Sequence, residues 1–444
     1  MLRRFAISCA LMAFAMPMTA RTRPHYGGAL RVETAGDPMV VARRLIYDGL
    51  TRVDADGSVQ PALATGWESD SGDHRWEFSL RPGVHFHDDS PLTPGAVVAS
   101  LNLSCNANCP WSAVHAVGAA VVFTSDAPMP NLPALLAGDE FLIALAATGD
   151  GKTPGGAGTG PFRLDDSSNG ALTLAANEAC WQGRPFVDSI AIHGRRAVRD
   201  QWLDLSLGHA DMVDVPAETI RQAQQQKLEM AVSPPVDLLA LQVSESGALS
   251  NPVLRAAIAA SIDRSAIANV IFQRQGEATA SVLPQGLSGL SFLFPVDRDL
   301  NAAHALRGGL AVPTLTLAAE GDGTMQLAAQ RIALDLREAG LNAVVAAPAT
   351  GQQPDLLLRR IALQGGKPSA VLDEALHEAH EIPVGADPSP ATIYKAERTF
   401  LDRHTFIPLA SLPRAYAVDG RIRDLRLLVG GEPDLASVSL EGAP

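Results

Sequence analysis

The chain has 444 residues, 47% of them hydrophobic, and a formal net charge of −13. It is too long for a single apolar core, so two or three domains are expected. Its acidity argues against a nucleic-acid groove, which needs clustered Lys and Arg, and against an anionic membrane surface as partner.

Residues 1–20 read as an export segment, with Arg3 and Arg4 ahead of an apolar run that is too short to span a bilayer. The mature protein is therefore expected in a periplasm. Of the cysteines, Cys9 falls in that segment and Cys180 is left over. Cys105 and Cys109 either close a small loop in an oxidising compartment or stay as buried thiols.

In chain order, 29–33 reads as a strand and 40–50 as a helix with Val41, Leu45 and Ile46 on its apolar face. Asp54-Ala55-Asp56-Gly57 supplies a turn between two strands. Trp67-Glu68-Ser69 and Arg75-Trp76-Glu77-Phe78-Ser79-Leu80 alternate large apolar and polar residues, so they predict a hairpin tipped by 69–73. Thr93 caps a helix through 101 with Pro94 at its first position. A strand pair over 114–123 and a short helix over 131–137 follow. Residues 146–153 (AATGDGKT) satisfy the phosphate-loop pattern, but Pro154-Gly155-Gly156 comes next and cannot propagate the helix whose amides would hold phosphate. This is a Gly-rich connector.

Strands are expected over 172–176, 188–192 and 237–243. The apolar spacing over 251–271 predicts one helix, with Asn251 as cap and Pro252 at its start. Strand 314–318, helix 325–339 with Gly340 as its C-cap, and strands 341–345 and 355–358 predict a parallel, crossover-connected unit. Glu374, His377, Glu378, His380 and Glu381 fall within two turns of one helix. They read as a solvated face or as metal ligands, without the order of a metalloprotease motif.

Several runs together resemble one family. Tyr47-Asp48-Gly49-Leu50, Pro61-Ala62-Leu63-Ala64, Trp67, Phe78-Ser79-Leu80-Arg81-Pro82-Gly83-Val84, Phe86-His87-Asp88 and Pro91-Leu92-Thr93 occur in order. Gly158-Thr159-Gly160-Pro161-Phe162, Asn177 with Trp181-Gln182-Gly183, and Ser261-Ile262-Asp263-Arg264 continue the pattern. The chain resembles the family-5 extracytoplasmic solute-binding proteins of peptide and nickel ABC importers. The resemblance implies an α/β, bilobed periplasmic-binding-protein-like fold of the type II, three-part class with mixed sheets. One lobe's core is expected from 21–46, 160–240 and 412–444, with a small domain inserted over 47–159, and the second lobe from 241–411. Crossing strands near 158–161 and 237–243 would join the lobes, which act as two bodies on a flexible strand pair.

It further implies a non-enzymatic, monomeric carrier without cofactor. It would hand a small solute, peptide foremost and a nickel- or haem-type metal or metal chelate as alternative, to an ABC permease and ATPase; a secreted hydrolase is the remote alternative, for which no Gly-x-Ser-x-Gly elbow is present in the sequence. The ligand-binding candidates are Thr34 and Asp37 after the first strand, Glu320 after the strand at 314–318, and Arg359 and Arg360. An arginine at the latter positions would accept a carboxylate bidentately. The segment that carries a ligand-pairing aspartate in peptide binders is shortened here to 359–371, without an acid.

Overall fold

The computed structural model describes residues 25–54, 57–104, 109, 111–145, 156–168, 170–321, 323–346, 353–363, 367–378 and 388–442. The export segment, the run at 146–153, Cys105, His380 and Glu381 lie outside the described residues, as do the side chains of Glu374, His377 and Glu378. Cys109 is disulfide-bonded and Cys180 is a free buried thiol.

The alternating residues of the signature region build a four-stranded antiparallel sheet. Strand Ala64–Ser69 pairs with Arg75–Leu80, then Ala120–Thr124, then Ala113–Val117. Asp70 tightens the hairpin tip by accepting the amide of His74 at 2.8 Å, and Asp73 takes a positive φ of 54°. The inward positions stack as aromatics: Phe78 meets Phe123, and Trp111 meets both Phe123 and Phe141. Helix Pro94–Ser104 covers this core through Val97 and Leu101. Thr93 receives the amide of Ala96 at 3.2 Å, as its position before Pro94 predicts.

The small domain is fastened to its neighbour by a buried carboxylate. Asp48 accepts from Thr159 Oγ1 at 2.8 Å and from Trp181 Nε1 at 2.9 Å. Arg44, on helix Pro38–Ile46, reaches the carboxylate of Asp139 at 2.6 Å.

Apart from two short two-stranded ladders, the remaining strands are organised on one mixed sheet of 11 strands. Strand Ala29–Glu33 runs parallel to Ser189–His193 and Met212–Val215, the centre of the first lobe. Leu315–Ala319 runs parallel to Ala343–Val345 and Leu356–Ala362, the centre of the second. Helix Gly323–Glu338 supplies the crossover, closed by Gly340 at φ 76°. Between the lobes run two long antiparallel strands, Glu229–Val243 and Phe406–Val418. Their ladder slips between Val232 and Asp237, where Pro234 and Pro235 face Pro413. Proline has no amide to donate, so the pairing loosens at the boundary between the lobes.

The faces of this sheet differ. On one face Val213, Ala415, Ala417, Leu412, Leu239, Leu317 and Leu358 belong to a single apolar core that continues from lobe to lobe. On the other, Val32, Ile190 and Met212 form one core and Leu238, Ala240, Ile361 and Phe406 another. The expectation of two bodies joined only by a strand pair is corrected accordingly: they share an apolar wall on one side and part on the other.

Two further expectations change. The helix foreseen over 251–271 stops at Ser261. Asp263 then caps a new turn by accepting the amide of Ala266 at 2.8 Å, and the chain continues as a π-helix over Ile267–Ile271. The segment at 158–161 is not a lobe crossing. It lies against Ile46 and leads into the strand Phe162–Ser168 at the far edge of the first lobe's sheet. The close approach explains its glycines, since a Cβ on Gly158 would sit 1.9 Å from the Ile46 carbonyl oxygen. A Gly158→Ala variant is expected to lose about 1–3 kcal/mol or more of unfolding free energy through forced backbone displacement. Urea denaturation followed by far-UV circular dichroism measures the loss; an unchanged midpoint would contradict the packing described.

Candidate functional site

Strand alternation places Asp214 on the opposite side from Val213 and Val215, which point into the shared core. Tyr416, its register partner on the long strand, lies on that same side with the first lobe's separate core. Arg414, two residues earlier, bonds Asp237 of the other long strand, and a row of polar and charged side chains gathers around this pair.

At the first-lobe end, Asp214 accepts from Thr34 Oγ1 at 2.7 Å and from the amide of Ala35 at 2.8 Å. Burial is the dominant influence on this carboxyl and pushes its pKa up despite both donors. Burial likewise raises the Tyr416 phenol well above its ordinary value.

At the centre, Asp237 receives one arginine on each oxygen. Arg414 Nε donates to Oδ1 at 2.8 Å, and Arg360 Nε lies 3.0 Å from Oδ2. Arg414 also bonds Glu432, and its amide donates to Ser233 Oγ at 2.9 Å. Burial disfavours the charge on Arg414, but Asp237, Glu432 and Tyr416 together outweigh it and hold the guanidinium above its ordinary value. On the opposite face of the same strand, Arg359 Nε lies 3.1 Å from Glu320 Oε2 and its Nη1 3.5 Å from Gln242 Oε1.

Of the five residues singled out from the sequence, Thr34 bonds Asp214 and Arg360 pairs with Asp237 in this row, whereas Arg359, the preceding residue of an unbroken strand, projects from the other face with Glu320. Asp37 does not join them. It accepts the amide of Met39 at 2.8 Å as the cap of helix Pro38–Ile46 and faces Arg195 at 3.6 Å. Asp214, Asp237, Arg414, Tyr416 and Glu432 were not foreseen. Their signal in the chain is a charge inside an otherwise apolar strand, as in Val213-Asp214-Val215 and Leu412-Pro413-Arg414-Ala415.

A groove of about 300 Å³ lies elsewhere, between helices Pro368–Glu378 and Pro390–Leu401, lined by Leu376, Ala396 and Phe400 with Lys395 and Arg403 at its rim. Among the described residues, no group of three His, Cys, Asp or Glu is disposed to hold a metal ion. No helix among them is long and apolar enough to cross a membrane.

Two lobes on one sheet, with ionisable groups gathered where the long strands pass between them, define the bilobed solute-binding fold. Residues 58–380 match the profile of the bacterial extracellular solute-binding proteins, family 5 (middle region), and the chain belongs to that family. The oligopeptide-binding protein AppA of Bacillus subtilis is 22% identical over 63% of this chain and 57% of its own sequence. Its structure with a nonapeptide superposes with a TM-score of 0.75 and 16% identity, covering 94% of this chain and all of the other. AgaA of A. tumefaciens R10, solved with agropinic acid, gives 0.80 at 19% identity over 93% of this chain and 99% of its own. NikA of Staphylococcus aureus, solved with Ni(L-His)2, gives 0.76 at 15% over 93% and 100%. The chain spans about a quarter to two thirds of the length of the first curated relatives it matches.

The Asp214 environment carries a pH signature. With its folded pKa raised above the usual 3.8, its contribution to stability is fully present below that value and is lost as pH rises through the folded value. Asp214→Asn is neutral throughout, so it should gain stability relative to the native protein as pH rises from about 4 to about 7. Denaturant titrations across that range test this, and a constant difference between the two proteins would contradict it. Thr34→Val, which takes one donor from the buried carboxyl, should cost about 1–3 kcal/mol.

Proposed function

We propose that this chain is the solute-capturing component of an ABC importer, exported to the periplasm, which binds short peptides between its lobes and presents them to a membrane permease. The observation that carries the reading is the row of groups on the crossing strands. It reaches the first lobe through Thr34 and Asp214 and the second through Arg360. A solute shifts a population of open and closed forms only by binding one better than the other, which requires contacts to both bodies. This row offers them.

Its composition suits a zwitterion. Arg360 uses Nε on Asp237 while about a third of its side chain stays exposed, and a guanidinium has five N–H donors. A peptide's terminal carboxylate fits the Nη side of Arg360. Its ammonium fits the acid at the first-lobe end of the row, Asp214. Capture without turnover, by a monomer and without a cofactor, is the corresponding activity. The oligopeptide named for the related AppA agrees with this choice.

A second reading keeps the fold and changes the cargo to a metal chelate, as in the NikA complex with Ni(L-His)2. It is favoured by the same arginines, which would bind a chelator's carboxylates.

Calorimetry and thermal-shift measurements with tripeptides, their C-terminally amidated forms and nickel–histidine separate these readings. Free tripeptides should raise the melting temperature by mass action and the amidated forms should not. Arg360→Ala should weaken tripeptide binding about ten- to hundredfold, the loss of a charge-assisted pair worth ~1.5–3 kcal/mol. Response to nickel–histidine alone would transfer the assignment to the chelate. Amidated peptides binding as well as free ones would remove Arg360 from the site.

A further inference from the structure

We propose that Asn131 and Asp373 form a latch that holds the two lobes closed on the side of the sheet where they share no apolar core. Asn131 belongs to the small domain and stands immediately before helix Leu132–Leu135. Asn at that position ordinarily turns its side chain back onto the helix amides. Here it makes no such bond. Its Nδ2 donates instead to Oδ2 of Asp373, 242 residues away on helix Pro368–Glu378 of the second lobe.

Asp373 is only 8% exposed, although it is an acid on a helix of the outer layer. Its neighbours Val371, Leu372, Ala375 and Leu376 pack on the second lobe's separate core with Leu238 and Ile361. The bond therefore bridges the lobes on the face where their cores part. On the opposite face the lobes touch through Thr324 Oγ1, which donates to Glu218 Oε1 at 2.8 Å beside the continuous apolar core. That contact survives a hinge opening on the far side; Asn131–Asp373 does not. One side of the molecule is thus a permanent join and the other a releasable one. The latch sets how much of the ligand-free protein is closed, and losing it should shift the closed-to-open ratio by roughly five- to thirtyfold.

Small-angle X-ray scattering of the ligand-free full chain tests this, and does so independently of which solute binds. Asn131→Asp sets two carboxylates face to face. At neutral pH it should enlarge the radius of gyration, with far-UV circular dichroism unchanged. The exchanged pair Asn131→Asp with Asp373→Asn restores one amide donor and one carboxylate, and should return the native scattering profile. Asn131→Ala removes the donor without adding charge and should enlarge the protein as well, so loss of fold in the aspartate variant would not hide the answer. Native scattering from both single variants, or a pair exchange that stays as expanded as Asn131→Asp, would overturn the latch.

Discussion

A single carboxylate, Asp237, lies where the lobes are joined. One oxygen holds Arg414 of the partner crossing strand and the other holds Arg360 of the second lobe. It is 5% exposed, and a buried carboxylate without partners costs several kcal/mol. Two guanidinium groups meet that cost here, and Glu432 balances the surplus charge on Arg414. The ladder is weakest at this point because Pro234, Pro235 and Pro413 donate nothing. Side-chain bonds thus take over where main-chain bonds fail, and the charged row is part of the joint itself. In the carrier proposed above, a ligand that competes for Arg360 would act directly on the crossing strands.

Rigidity is distributed to match. The small domain moves with the first lobe because Asp48 ties it through Thr159 and Trp181, and Arg44 ties it through Asp139. In the second lobe, Asp335 is fully buried between Arg331 at 2.8 Å and Arg298 at 3.7 Å and also accepts the amide of Asp263. It fixes the broken helix segment to the long helix Gly323–Glu338. Both lobes are cross-braced internally, so compliance is left to the strand crossing.

Much of the fold was legible in the chain because its elements follow local rules. The hairpin at 67–80 shows its period of two, and the capped helices at 94 and 252 show cap and proline together. The site was less legible. Asp37-Pro38 carries the ordinary mark of a helix cap, and that is the role it plays, although its place after the first strand suggested a ligand contact. Asp214 and Arg414 sit inside apolar strands, where a charge has meaning only once the facing strand and its register are known. The break at Ile262 and Asp263 escaped notice because apolar spacing on both sides is helical. The extended backbone at Ile262 and the Asp263 carboxylate on the Ala266 amide together distinguish two helices from one.

The alanines at 410, 415 and 417 lie in the layer shared by both lobes. Small side chains leave shallow ridges, so this layer can slide by a fraction of a residue while remaining dry. In the carrier proposed above, this layer is the bound spine of a book, and opening is confined to the side where the lobes' cores are separate.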